Sequence, residues 1–126
     1  MKKIIQTKDA PAPIGAYNQA VLSGDTLYIS GQIALNPVSG ELEQENIEEE
    51  TEQVMRKLKA ILGAGEMNFE NVVKSSIFIS DMNNFSRINT IYSKYFNEAT
   101  APARETVEVA NLPKFVNVEI SMIAVK

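Results

Sequence analysis

Arg104 follows Ala101-Pro102-Ala103 at the opening of a β-rich segment. From such a rigid place a planar guanidinium presents two parallel N–H donors to a carboxylate. In a strand starting there, alternation puts Arg104, Thr106 and Glu108 on one face. Glu119 lies in the next segment, expected to be the adjoining strand, so a cationic clamp and a carboxylate are expected to meet over one sheet. An ion pair of Arg104 with Glu119 or Glu108 is the plainer use of the same residues, and both readings stay open at this point. Tyr17, just past a Pro/Gly loop, and Ser30-Gly31, at the end of another β-rich run, add a phenol, a hydroxyl and an unobstructed backbone amide. Taken singly, each is also explained by packing or a turn.

The chain has no Cys and no His, which removes thiolate nucleophiles, imidazole bases, disulfides and the usual zinc ligands. Chemistry falls to Arg, carboxylates, hydroxyls, backbone amides and water. Neither an Asp-rich calcium loop nor a Gly-rich run ending in Lys-Ser/Thr occurs, so neither a metal nor a nucleotide cofactor is expected. Twelve Lys plus Arg against 16 Asp plus Glu leave a formal charge of -4, a poor footprint for gripping phosphate backbones; nucleic acid is disfavoured as a partner. The first residues carry positive charge without an apolar stretch behind them, and no run of 18 apolar residues occurs. A cytoplasmic location, away from membranes, is the expectation.

At 126 residues, 44% of them hydrophobic and 22% charged, the chain suits one core, and a single domain spanning residues 1–126 is expected. Pro11, Pro13 and Gly15 break the chain after Ile4-Ile5. The run from Tyr17 to Leu22 and that from Thr26 to Gly31, split by Ser23-Gly24-Asp25, read as a hairpin. Ile47, Thr51, Val54, Met55, Leu58, Ile61 and Leu62 then fall at helical spacing, with Asn46 as cap, Gly63-Ala64-Gly65 as stop, and a glutamate run read as a solvated helix start. The segment 72–80 is β-rich. Phe85, Ile88, Ile91, Tyr92, Tyr95 and Phe96 form a second apolar helical stripe after an Asn83-Asn84 cap. Two last strands, Arg104 to Ala110 and Phe115 to Val125, close an order β-β-β, helix, β, helix, β-β. This implies an α+β sandwich with helices on one face of a mixed or antiparallel sheet. The last strand puts Ile123 and Val125 on the other face, which needs a cover; oligomerisation through the sheet supplies one.

Together these residues resemble the RidA/YjgF family of reactive-intermediate deaminases over nearly the whole chain. The most specific stretches are Pro102-Ala103-Arg104, Val107-Glu108-Val109-Ala110, Leu112-Pro113 and Val118-Glu119-Ile120. Upstream are Ala12-Pro13-Ile14-Gly15-Ala16-Tyr17, Tyr28-Ile29-Ser30-Gly31-Gln32-Ile33, and Ile77-Phe78-Ile79 followed by Asp81-Met82-Asn83. The resemblance implies a chorismate-mutase-like α+β fold, a mixed sheet with two helices on one face, assembled as a homotrimer with three inter-subunit clefts. It implies cofactor-free hydrolysis of enamines and imines such as 2-aminoacrylate and 2-iminopropionate to 2-keto acids and ammonia. By position, the family's carboxylate-binding arginine falls on Arg104, its water-orienting glutamate on Glu119 and its pocket tyrosine on Tyr17. Ser30, Gly31, Asn89 and Thr106 match substrate-binding positions. Ala16 and Ala34 stand where prolines are common, Thr106 where Cys is common, and Glu105 where a small residue follows the arginine. A trimer that binds small carboxylates for regulation, without turnover, is the alternative use of the same clefts.

Overall fold

The computed structural model describes all 126 residues. Six strands form one sheet: β1 (Lys2–Ile5), β2 (Ala20–Ser23), β3 (Thr26–Gln32), β4 (Val72–Ile79), β5 (Ala103–Glu108) and β6 (Val118–Val125). Two helices, α1 (Ile47–Ala64) and α2 (Phe85–Ser93), complete the regular structure. The strand order is β1-β2-β3-β6-β4-β5, antiparallel throughout except for the parallel pair β4 and β5. No helix is long and apolar enough to cross a membrane.

Alternation in β6 sets the two sides of the molecule. Val118, Ile120, Met122 and Ala124 are buried against the helices, while Glu119, Ser121, Ile123 and Val125 leave on the opposite, outer face. All seven residues of the α1 stripe are buried, joining Leu27, Ile29, Ile77 and Ile79 from the sheet. From α2, Ile88, Ile91 and Tyr92 are buried. Tyr95 and Phe96 lie beyond the end of α2, yet pack against this core with Phe69, at ring-centroid distances of 5.1 and 5.3 Å.

The outer face has no cover within the chain. Register places Ile4, Val21, Tyr28 and Ile123 side by side across β1, β2, β3 and β6, an apolar row on which Tyr28 is 50% exposed.

Local chemistry differs from expectation at several points. The adjoining strand of β5 is β4, and β6 is its second neighbour. A helical crossover makes β4 and β5 parallel neighbours, whereas β5 and β6 share no ladder; β5, polar and mostly exposed, takes the sheet edge. The strands are also shorter than expected, starting at Ala20 rather than Tyr17 and at Val118 rather than Phe115, and β5 ends at Glu108 rather than Ala110. Asn46 caps α1 as expected, its side chain accepting from the Glu49 N–H at 2.8 Å. The left-handed residue after α1 is Glu66, φ 60; Gly65 instead leaves room for Leu27, 2.9 Å from where a Cβ would stand. Ahead of α2 the capping side chain is Asp81, which accepts from the Asn83 N–H at 2.9 Å, because a 3₁₀ turn at Met82–Asn84 precedes the helix.

The glutamate run is not wholly solvated. Glu50 is fully buried, and its two carboxylate oxygens accept from the Asn117 backbone N–H at 2.8 Å and the Asn117 Nδ2 at 2.7 Å. The start of α1 is thereby tied to the residue before β6, two positions from Glu119. Replacing Glu50 with Ala strands both donors, so Glu50→Ala is expected to cost on the order of 2–3 kcal/mol. Denaturant midpoints would read that loss, and faster amide exchange at Asn117 would localise it.

Candidate functional site

Two groups of polar side chains stand apart on this framework. The first lies on the helix side, where register carries Met122 of β6 to Ser75 of β4 and on to Arg104 of β5. Arg104 Nη1 donates to Asn89 Oδ1 of α2 at 2.6 Å. Its guanidinium carbon lies 5.1 Å from the Tyr92 ring centroid and 5.8 Å from that of Phe85. Burial raises the Tyr92 phenol above its usual pKa, and that hydroxyl donates to Ser75 Oγ at 2.9 Å. No carboxylate lies within 4.0 Å of Arg104. The expected alternative of an Arg104 ion pair with Glu108 or Glu119 therefore fails. Glu108 instead accepts from the Met82 N–H at 2.7 Å.

Arg104 keeps most of its five donors unspent and borders a cleft of about 320 Å³ with Asn89, Tyr92 and Pro102. Thr106, two residues on and on the same face, has a buried hydroxyl with no hydrogen-bond partner. A fixed fork beside an unmatched hydroxyl is suited to a planar anion such as a carboxylate. Glu105 leaves on the outer face, as alternation requires. There its carboxylate meets Lys74 Nζ at 2.6 Å and the Ser76 hydroxyl, which hold it below the usual carboxylate range.

The second group lines a cavity of about 670 Å³ reached from the outer face: Tyr17, Ser30, Gly31 and Glu119, with Lys57 and Lys114. Ser30-Gly31 is a bulge within β3 rather than the expected turn after a strand. Ile29 pairs with Met122 and Gln32 with Ile120, leaving Ser30 and Gly31 together opposite Ser121. The bulge sets Gly31 directly against Glu119. A Cβ at Gly31 would overlap the carboxylate, standing 2.8 Å from Glu119 Cδ, so only glycine leaves the acid in place. Glu119 has no hydrogen-bond or ion-pair partner within the chain, and burial raises its pKa above the ordinary value. A desolvated, unpaired carboxylate at a cavity wall has the character of a base that holds water. The Ser30 hydroxyl donates to the Asn18 carbonyl at 2.6 Å, and Tyr17, 51% exposed, brings its phenol to the cavity rim.

A model of the family described as endoribonuclease L-PSP matches residues 7–126. The chain belongs to this family, also called YjgF/RidA. A RutC family protein of Synechocystis is 52% identical over 98% of this chain and 95% of its own. The rat protein named 2-iminobutanoate/2-iminopropanoate deaminase is 45% identical over all of this chain and 91% of its own. Among solved structures, E. coli TdcF with bound serine superposes at a TM-score of 0.92, with 39% identity and 98% coverage of both chains.

Within this YjgF/RidA chain, the residues expected to act together separate into Arg104, Asn89 and Thr106 on one face and Tyr17, Ser30, Gly31 and Glu119 near the other. The expectation that Arg104 and Glu119 meet over one sheet is overturned within a single chain: one strand, β4, lies between theirs, and alternation sends the two side chains to opposite sides.

Sequence reasoning missed two residues of the cavity region. Buried Gln19 donates through Nε2 to the carbonyls of Thr7, Ala10 and Pro11, and accepts from the Thr7 N–H at 2.7 Å, which holds the proline loop in place as a wall. Lys57 falls three residues after Val54 and four before Ile61, on the flank of the α1 stripe, yet its charge gives no sign that it is buried. The partners of both residues lie in segments distant along the chain.

Gly31→Ala is expected to push the Glu119 carboxylate out of its position into water while leaving the fold intact. The Glu119 pKa, raised in the wild-type protein, should then fall back toward 4.5, the ordinary glutamate value. Carbon-detected NMR titration of the side-chain carboxyl reads the change.

Proposed function

We propose that this protein hydrolyses reactive enamine and imine intermediates, of the 2-aminoacrylate type and its tautomer 2-iminopropanoate, to 2-keto acids and ammonia without a cofactor. The observation carrying the reading is the pair of unsatisfied opposites: an arginine fork with no carboxylate partner and a desolvated glutamate with no donor. An α-imino acid supplies what both lack, a carboxylate for the fork and an adjacent electrophilic carbon for a glutamate-held water. The rat relative's name is consistent with this chemistry, as is a serine-bound relative of the same fold.

Because one chain sends Arg104 and Glu119 to opposite faces, the proposed site joins two copies. Arg104, with Asn89 and Thr106, comes from one; Tyr17, Ser30, Gly31 and Glu119 come from the next. A closed ring of three such clefts also covers the apolar row of Ile4, Val21, Tyr28 and Ile123. Each copy acts as one domain over residues 1–126.

In the reaction the imine nitrogen is protonated, and Arg104 holds the carboxylate in a bidentate pair. Glu119 takes a proton from water as its oxygen bonds to C2. The tetrahedral carbinolamine collapses when that proton passes to nitrogen; the C–N bond breaks, ammonia leaves, and loss of the hydroxyl proton forms the keto group. Such imines hydrolyse spontaneously, so an acceleration worth a few kcal/mol, from positioning alone, suffices. The Tyr17 phenol, at the cavity rim, helps to orient the ligand.

Arg104→Lys keeps the charge but loses the fork. With 2-aminoacrylate generated in situ by a dehydratase, the variant is expected to lose about ten- to a hundredfold in kcat/KM, with the melting temperature nearly unchanged because Arg104 has no carboxylate partner. A lower melting point beside intact turnover would assign Arg104 a structural role. Tight 2-keto-acid binding without turnover in the wild-type protein would favour a regulatory carboxylate binder. Light scattering is expected to give three times the 13.9 kDa chain mass; a stable monomer would exclude the shared site.

A further inference from the structure

The chain has three arginines, and two of them face carboxylates. Arg87 donates through Nε and Nη2 to the two oxygens of Glu48, at 2.7 and 2.6 Å, and Arg56 lies 3.9 Å from Glu49. Arg104 is the exception. Exposed on the edge strand, it meets no carboxylate, and its one hydrogen bond, to Asn89, is little to set against the rotamer freedom of so long a side chain.

What holds it in addition is one side of α2. Phe85, Asn89 and Tyr92 are spaced by four and three residues, so they share a face of the helix. All three reach Arg104: Asn89 as an acceptor, and the Phe85 and Tyr92 rings as π faces 5.8 and 5.1 Å from the guanidinium carbon. Tyr92 is the more firmly fixed of the two rings. It is 4% exposed, its ring centroid lies 4.7 Å from that of Phe96, and its hydroxyl donates to Ser75 Oγ at 2.9 Å. Ser75 is the β4 register partner of Arg104. The tip of the ring is thus tied to the strand beside the arginine's own backbone, and its face meets the guanidinium from there.

A carboxylate in place of these rings would fix the arginine as well, but it would fill the fork. A ring face attracts the cation while leaving the N–H donors free. The guanidinium is oriented, and its charge stays available at the cleft of about 320 Å³, near the unmatched hydroxyl of Thr106.

We propose that Tyr92 and Phe85 are positioning residues whose rings aim the Arg104 fork at a ligand carboxylate without neutralising it. This rests on the reading of Arg104 as the carboxylate clamp of the deaminase site.

The test is a double-mutant cycle, read as turnover of 2-aminoacrylate and as calorimetric affinity for 2-oxobutanoate. Tyr92→Leu removes a π face and keeps an apolar side chain; it is expected to lower both kcat/KM and affinity about five- to tenfold. Tyr92→Phe keeps the ring and should stay within about threefold of wild type. In the Arg104→Lys background no fork is left to aim, so Tyr92→Leu should there cost less than about twofold more. A loss of the same size in both backgrounds would make Tyr92 a packing residue only, and overturns the proposal. So does a Tyr92→Phe variant as impaired as Tyr92→Leu, which would assign the effect to the hydroxyl. Should Tyr92→Leu fail to fold, Phe85→Leu, at a half-buried position, decides the matter: a loss of about threefold that vanishes beside Arg104→Lys is required, and its absence overturns the proposal.

The wild-type protein separates this proposal from the deaminase reading. Binding of 2-oxobutanoate with no turnover removes the deaminase reading and leaves the cycle to be decided on affinity alone. Turnover with equal losses in both backgrounds keeps the deaminase reading and removes the aromatic cradle. Neither binding nor turnover overturns both.

Discussion

A pleated sheet sends neighbouring side chains to opposite faces, and in this protein that alternation governs both the core and the site. In β6 it sinks Val118, Ile120, Met122 and Ala124 under the helices and turns Glu119 outward. Carried through the register from β6 to β4 to β5, the same alternation sets Arg104 on the helix side, level with buried Met122. Neither side chain can change face without exposing a row of core residues, because a one-residue slip would invert the whole strand. The separation of the cation from the carboxylate is thus tied to the stability of the core itself. It is also why a chemistry that uses both calls for a second copy.

The interior holds charged groups in three different ways. Glu50 is satisfied locally by both donors of Asn117 and acts as a joint between α1 and the approach to β6. Lys57 is half-satisfied, with one carbonyl and a distant carboxylate. Glu119 has no donor at all. Buried polar groups that are fully paired rigidify a fold, whereas those left short of partners mark where a fold gives up stability for binding. By that measure Glu119 at the outer-face cavity, and not the α1 joint, is where this chain has kept an unspent interaction.

The departures from the family pattern have local explanations. Glu105, beside the arginine in sequence, is sent to the opposite face by strand alternation and meets Lys74 and Ser76 there, so its charge is engaged away from Arg104. Ala34 is fully buried and its methyl belongs to the core, while Ala16 lies exposed in the loop before Tyr17. Thr106 keeps a polar atom, its unmatched hydroxyl, where a thiol is common in the family.

The elements were legible from the chain alone because their causes are local. The α1 stripe follows from spacings of three and four, its start from Asn46, the β6 faces from strict alternation, and the hairpin from Gly24, which takes φ 60. Arg104, Glu119, Tyr17, Ser30 and Gly31 could be singled out by type and by resemblance. What they do to one another could not. Pairing order is a matter of segments far apart in sequence, so β4 entering between β5 and β6 left no local trace and undid the expected meeting of Arg104 with Glu119. The bulge that fits Gly31 to Glu119 is a property of two strands, and sequence spacing in one of them reads only as a turn. Burial of Glu50 and Lys57 was hidden for the same reason. A helical wheel shows which face of α1 is apolar, whereas only the packed sheet and loops decide which of its charged residues they close over.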